Sequence, residues 1–418
     1  MPKIVINEHD NTTTGIREYS NFTVVVPGLI GAASGIDTSV FNEDGIYECD
    51  NQADFVKHVG KAKAQDSQIG NQIAYELLGL GYKVIYKKID LTAAESEGAV
   101  TVATVLAKST FWEPLKDKAT YDFRYVITGL TKGNANANNE ISKLCKDRGD
   151  AIALLDIDTT AYLDNTTPKT QAEAIKGIIA ETAQLSSADK FSAIFAPAVT
   201  YEGTGDAEYG NNRTFPATFH YLACAAESQA TYPEWFAVAG YTRGRCNAFK
   251  IAETTVTLGE AAINALEPRT QKTHDTLTVK TAVNIIAKIK GNYYLWGDRT
   301  AHHLGAEANS DLVASHFLNI RQLCTTIKKQ LYINCRRFTF EPNSDVLWVN
   351  FCNAIEPTLD KMKANQGISD YQIIKKRNPK KAVLSAIIRI VPIEAVEDFE
   401  IDLTLEDSIE GDIIAIND

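Results

Sequence analysis

The stretch ISKLCKDRGDAIALLD, residues 141–156, carries the pattern that decides the fold class. Ile141 to Arg148 reads as a helical segment, Gly149 ends it, and Ala151 to Asp156 reads as a strand. The same alternation recurs on both sides, with strands at Phe123–Ile127 and Phe191–Ala196 and a helix over Gln171–Leu185. This order predicts an α/β layer whose strands are at least partly parallel. Gly133–Asn139 and Gly203–Asn212, rich in glycine and asparagine, read as loops.

Upstream, Phe22–Val26 reads as the first core strand. Between Asp54 and Ile89 an amphipathic helix with Ile69, Ile73, Leu77 and Leu78 gives way at Gly79 and Gly81 to a strand over Tyr82–Ile89. Downstream of Thr276 two long helices are predicted. The first, opened by Asn309 or Ser310, lines up Val313, Phe317, Ile320, Cys324, Ile327 and Leu331. The second, capped by Asn343, lines up Leu347, Phe351, Ile355, Leu359 and Met362 and stops at Gly367, with a kink expected at Pro357. Apolar stripes of this kind belong to a core.

The two ends differ from the body. Residues 1–21 are polar and threonine-rich around one strand-like island, Ile4-Val5-Ile6, and read as an arm. Near the other end Phe399, Ile401, Leu403 and Leu405 alternate with Glu400, Asp402, Thr404 and Glu406 in period two. Between Lys361 and Arg389 stand eight basic residues and one acidic residue, whereas Ile390–Asp418 holds ten acidic residues and no basic one. A strand with one apolar and one anionic face seeks a sheet to join. Two acceptors fit: the chain's own basic stretch, or that of another copy, with Lys375, Lys376, Arg377, Lys380, Lys381 and Arg389 as the acceptor charges. Donation to an identical neighbour is a head-to-tail contact, which propagates as rings or helical filaments. Thr12–Gly15 and Glu394–Glu397 are the expected hinges.

Composition narrows the functional classes. The 418 residues are 44% apolar, enough for a substantial core in two or more subdomains. A net charge of −11 disfavours general attraction to nucleic acid or anionic lipid. No secretory pattern opens the chain and no apolar run reaches bilayer length, so a soluble, unexported chain without membrane insertion is expected. Seven scattered cysteines without a C-x-x-C pair read as reduced, mostly buried thiols.

The sharpest enzymatic alternative is Leu154-Leu-Asp-Ile-Asp-Thr-Thr160, in which Asp156 and Asp158 match the nucleophile and acid/base pair of a haloacid-dehalogenase-like phosphatase. The lysine and downstream acidic pair that complete such a site are not found, since Gly297-Asp298 is followed by Arg-Thr-Ala-His-His. His302, His303 and His316 come with no metal-ligand motif, and no phosphate loop or dinucleotide fingerprint is present. No enzyme activity, cofactor or metal is therefore expected.

Several stretches, taken together, resemble the contractile phage tail sheath family. They are Tyr293-Tyr-Leu-Trp-Gly-Asp-Arg-Thr300, Asn319-Ile-Arg-Gln-Leu323, Phe340-Glu-Pro-Asn343 leading to Trp348, and Asn365-Gln-Gly367 leading to Tyr371. Asp122–Gly129, Leu144–Asp156 and Phe191–Pro197 resemble the same family's central α/β segment, so the likeness spans roughly residues 120–410. Gln322 and Ile320 depart from the usual arginine and valine, and the family's proline-glycine-valine-tyrosine start is absent.

The resemblance implies a mixed α/β fold in which an inner sheath domain combines residues 22–95 and 277–395. Residues 96–276 would form an inserted outer α/β domain, and 1–21 and 396–418 the terminal arms. It implies a structural subunit that polymerises with itself as stacked hexameric rings around a tail tube, linked by exchanged terminal strands. Such a sheath contracts from an extended metastable state to drive the tube through a cell envelope. The further partners implied are the tail tube, baseplate and tail terminator proteins. The implied location is the contractile tail of a virion, or a related bacteriocin or injection system, assembled in the host bacterial cytoplasm.

Overall fold

The computed structural model describes residues 22–30, 36–60, 69–90, 101–159, 161, 170–202, 212–252, 258–259, 262–263, 266, 282–302, 314–376, 383–393 and 395. In chain order the first six strands are β1 (Thr23–Gly28), β2 (Ile46–Cys49), β3 (Lys83–Lys88), β4 (Tyr125–Val126), β5 (Ile152–Asp156) and β6 (Ser192–Ala196). After β7 (Val199–Glu202) and β8 (Asn212–Phe215), which form a small antiparallel pair of their own, come β9 (Val283–Ile289) and β10 (Asn292–Trp296). The large sheet has eight strands in the order β10-β9-β6-β5-β4-β1-β3-β2. Its six inner strands are all parallel to their neighbours, and one antiparallel strand, β10 or β2, closes each edge. The sheet takes strands from all three of the stretches 22–95, 96–276 and 277–395, so hydrogen-bonded pairing crosses both expected boundaries.

Parallel strands covered on both faces must be apolar on both, and these are. Val24–Val26, Ile152–Leu155, Ala193–Ala196 and Val283 are each at most 1% exposed. Their side chains alternate between two cores. One holds Val25, Ala153, Leu155 and Ile194 against the helices α3 (Val102–Leu106), α4 (Ser109–Trp112), α5 (Ala135–Arg148) and α6 (Gln171–Thr182). The other holds Val24, Val26, Leu154 and Phe195 against α1 (Gln52–His58), α2 (Gly70–Gly79) and α7 (Ala217–Gln229). A short turn of helix, α8 (Gly240–Arg243), lies beside β10.

Helix α5 begins earlier than its sequence suggests. Ala135–Asn139, expected as loop, are helical because three of the nearby asparagines have specific bonds. Asn134 caps the helix by accepting from the Ala137 amide at 3.0 Å, and Asn138 donates to the Asp156 carbonyl at 2.7 Å inside the core. Asn139 accepts from the Ser187 amide at 2.9 Å. Polar residues that weaken an isolated helix are tertiary ligands here.

The last part of the chain packs α9 (Leu318–Arg336) against α10 (Asp345–Ala364). The expected start of α9 is corrected: Ala314–His316 form a 3₁₀ turn and Phe317 is extended, so the helix opens only at Leu318. Backbone bonds to the sheet edge hold this segment out of the helix, from Thr300 N to His316 O at 2.8 Å and from Leu318 N to Asp298 O at 2.9 Å. Asn309, Ser310 and Val313 lie outside the described residues. The cap of α10 is Ser344, one residue after the expected Asn343, and the helix continues through Pro357. Its predicted stripe is buried, with Leu347, Phe351, Ile355, Leu359 and Met362 all at most 8% exposed.

One side of α9 faces α10 through Leu323 and Ile327, and the other is bonded to the end of the large sheet. Arg124, 1% exposed, donates to the Gln322 carbonyl at 3.0 Å and to Thr326 Oγ1 at 2.5 Å. Lys329 is buried against Asp122, with Asp150 at 3.8 Å. Removing the ammonium takes from Asp122 a buried, charge-assisted partner, while Asp150 keeps Arg148 at 3.0 Å. Lys329→Ala should therefore lower the unfolding free energy by about 1.5–3 kcal/mol, the range for hydrogen bonds to charged groups. Urea unfolding checks this, and an unchanged midpoint would mean that the clamp does not hold α9.

Candidate interaction site: a basic hairpin with open edges

After α10, Gln366 takes a left-handed conformation (φ 60°) and the chain turns at Gly367 into β11 (Ile368–Lys376), which pairs with β12 (Ser385–Pro392). Gly367 is needed at the turn: a Cβ there would stand 3.0 Å from the Trp235 indole and 3.2 Å from Leu323 Cδ1. An isolated two-stranded hairpin is marginal in water, and this one is held by packing its inner face on the helix pair through Tyr371, Ile373, Ile388 and Ile390. Tyr371 Oη donates to Asp360 Oδ1 at 2.6 Å, and Lys375 Nζ donates to Asp345 Oδ1 at 2.7 Å near the Trp348 ring.

The outer face is different. Along β12 and just beyond it, Ile387, Val391 and Ile393 are 39%, 55% and 42% exposed, with Arg389 between them. Across the register lie Ile374 opposite Ile387 and Gln372 opposite Arg389, and exposed Lys376 ends the row. Among the described residues each strand pairs only with the other, which leaves one edge of backbone donors and acceptors open on either side.

The structure thus brings three of the predicted acceptor charges, Lys375, Lys376 and Arg389, onto one hairpin. Lys375 is engaged by Asp345 of its own chain; Lys376 and Arg389 point outward. Arg377, Lys380 and Lys381 lie outside the described residues. So do the arm residues Ile4, Val5, Ile6, Phe399, Ile401, Leu403 and Leu405, and the acidic row Glu400, Asp402 and Glu406. The exposed apolar row was not anticipated, although the alternation from Ile387 to Ile393 carries its signal.

Strand order reverses between β1 and β4, where open α/β sheets hold their ligands. On the β3 side of β1, Asn71 of α2 is bonded at the strand ends: its Nδ2 donates to the Leu29 carbonyl and its Oδ1 accepts from Tyr86 Oη. A Cβ at Gly28 would stand 2.3 Å from Asn71 Oδ1. Asp156, the nucleophile of the phosphatase alternative, is 4% exposed and caps α7, accepting from the Thr218 amide at 3.0 Å and from Thr218 Oγ1 at 2.5 Å. His302 and His316 are buried and stacked, ring centroids 4.5 Å apart, with His302 Nδ1 2.6 Å from Ser315 Oγ. Among the described residues no group of three or more His, Cys, Asp or Glu is placed to hold a metal ion, and no helix is long and apolar enough to cross a membrane. All seven cysteines are free thiols, four of them buried.

No protein-family model and no curated protein matches the chain. Solved structures do. A chain in the cryo-EM structure of the anti-feeding prophage baseplate superposes with a TM-score of 0.62 at 11% identity, covering 97% of this chain and 99% of that one. A chain of the contracted sheath complex of PVC, an extracellular contractile injection system, gives 0.62 at 14% identity, covering 97% and 98%. The crystal structure of a sheath tail protein from Desulfitobacterium hafniense gives 0.50 at 8% identity, covering 94% and 100%. At these identities what is shared is the fold, over nearly the full length of each chain.

The burial of Asp156 has a measurable signature. Burial pushes its carboxyl from the ordinary 3.8 up to about 7, against the bonds from Thr218 and Ala217, which lower it. The folded chain therefore holds the extra proton between these values. The stability this contributes is fully present below about pH 3.8 and is lost as pH rises through about 7. Asp156→Asn should remove that slope, at most about 1.4 kcal/mol per pH unit, from unfolding free energies measured between pH 4 and 7. Identical pH profiles for the two proteins would contradict the assignment.

Proposed function

We propose that this chain, which has the fold of contractile sheath proteins over nearly its whole length, is a structural subunit of such a sheath and polymerises by exchanging terminal strands. The observation that carries this reading is the hairpin β11–β12. It combines two open edges, an exposed apolar row and outward cations, on a chain whose own C-terminal segment alternates apolar and acidic residues. Strand addition at such an edge takes its affinity from backbone hydrogen bonds and its register from side chains on alternate faces. The arm strand Phe399–Glu406 supplies both the apolar row and the opposite charge. The N-terminal island Ile4–Ile6 is a donor for the other edge.

A strand given to the next copy and received from another is a head-to-tail contact, which propagates as rings or helical filaments. With an arm at each end, every subunit is tied to several others, and the sheath likeness implies stacked rings of six around a tail tube as the assembly. The cores of the subunit are rigid, whereas the tethers are single extended strands. Rings can therefore rotate past one another as rigid bodies while the lattice stays connected, which is what contraction from an extended state requires. In this reading the large sheet, which draws strands from 22–95, 96–276 and 277–395 alike, moves as one body, and the subunit acts mechanically without catalysis. Its partners are other copies, the tail tube, and the baseplate and terminator proteins at the two ends of a phage-like tail.

Truncation after Ala395 should leave a soluble, folded subunit that no longer forms tubes or rings by negative-stain microscopy, where the full chain does. Tubes from the truncated chain would rule out the C-terminal exchange. Charge reversal at the two outward cations, Lys376→Glu with Arg389→Glu, should slow assembly of the full chain measured by light scattering. Added salt should reduce wild-type assembly only in part, since paired strands are screened less than exposed charges; complete loss at moderate salt would make the contact purely electrostatic.

A further inference from the structure

At the end of the large sheet where β5 and β6 begin, away from the hairpin, positive charge gathers around one aromatic ring. Arg321 and Lys328 stand two turns apart on α9 and both lie against Phe191, with the guanidinium carbon 4.8 Å and the ammonium nitrogen 5.0 Å from the ring centroid. Lys328 Nζ also donates to the Gly149 carbonyl at 2.8 Å, just past the end of α5. Lys118 and Lys190 are close enough for their charges to act on Lys328. The acidic residue whose charge reaches Arg321 is Asp189, and that carboxylate is already engaged: it accepts from the Phe191 amide at 2.8 Å and lies 3.7 Å from Lys146.

The guanidinium of Arg321 is not satisfied by these neighbours. Arg321 is 7% exposed, and its buried Nε meets no hydrogen-bond acceptor. Contact with a ring face offsets only part of the cost of burying a cation. Burial lowers the pKa of both Arg321 and Lys328, and for Lys328 the next largest cause is Arg321 itself, followed among the cations by Lys118 and Lys190. A chain of net charge −11 thus holds several mutually repelling cations in one place. A guanidinium beside ammonium groups is the arrangement that binds planar or tetrahedral oxyanions through charge-assisted bonds.

We propose that Arg321 and Lys328 form a binding site for an oxyanion, a phosphate or carboxylate group seated beside Phe191, with the charges of Lys118 and Lys190 adding to the attraction. Two sources supply that chemistry: free inorganic phosphate, or the carboxylates of Asp407, Glu410, Asp412 and Asp418, which follow the arm strand. The site stands on geometry separate from the hairpin and does not depend on strand exchange.

Calorimetric titration of the full chain with inorganic phosphate, in low-salt Tris chloride buffer, tests it. Saturable binding is expected, with Kd on the order of 0.1–1 mM. Lys328→Gln should weaken it about tenfold, as should Lys118→Gln combined with Lys190→Gln, two solvent-accessible positions whose replacement leaves the core intact. Lys376→Gln on the hairpin should not. A synthetic peptide of residues 407–418 separates the sources: displacement of phosphate by the peptide assigns the site to the tail, and phosphate binding without displacement assigns it to the free ion. No saturable binding of either probe overturns the proposal, and so does phosphate binding that the lysine variants leave unchanged.

Discussion

The attachment of α9 to the end of the large sheet is the contact on which the rest of the molecule depends. Leu318 at the start of the helix joins the sheet's apolar core, but the stripe of Leu323 and Ile327 is spent on α10. The rest of its attachment to the α/β body is a set of buried polar bonds: Arg124 to Gln322 and Thr326, Lys329 to Asp122 and Asp150, and Gln322 to Tyr221. Such bonds are directional, and breaking one leaves a partner unsatisfied in the interior. They set the position of α9, and α9 sets α10. The hairpin then sits on the helix pair, so the orientation of its open edges traces back to two cations, Arg124 and Lys329.

That chain of dependence suits a mechanical subunit. Trp235, from the segment after α7, donates to the Asn365 carbonyl at 3.0 Å and fixes the end of α10 at the turn into β11. The Ile393 amide bonds to the Gly367 carbonyl at 3.1 Å where the chain leaves β12. Force applied to a strand paired with the hairpin would thus pass through α10 and α9 into an eight-stranded sheet with apolar cores on both faces.

Much of this was legible in the sequence where a single physical rule governs. Runs such as Ile152–Leu155 and Ala193–Phe195 are apolar throughout because both faces of a parallel strand are covered, and the stripe from Leu347 to Met362 is spaced for one buried helical face. The errors lie where tertiary bonds overrule local preference. Asn134 to Asn139 look like a loop until Asn138 is seen bonded to the Asp156 carbonyl, and Phe317 looks helical until the bonds to Asp298 and Thr300 are seen. Asp156 looked like a nucleophile because a strand ending in aspartate is equally well a cap for a helix that follows much later. The hairpin's basic character could be read from the excess of lysine and arginine, but which of those cations stays free for a partner could not. Lys375 turns inward to Asp345, a pairing set by the packing of β11 on α10.

The central claim is that the acidic arm of one copy lies on the basic hairpin of another. Two variants in a background with the three accessible thiols removed (Cys324→Ser, Cys335→Ser and Cys352→Ser), one carrying Leu403→Cys and the other Gln372→Cys, test it when mixed and mildly oxidised under assembly conditions. Strand exchange predicts a disulfide-linked heterodimer that appears only in the mixture and disappears on reduction. If the arm instead folds back on its own chain, the mixture will show no such species, while a chain carrying both cysteines will form an internal link and stay monomeric.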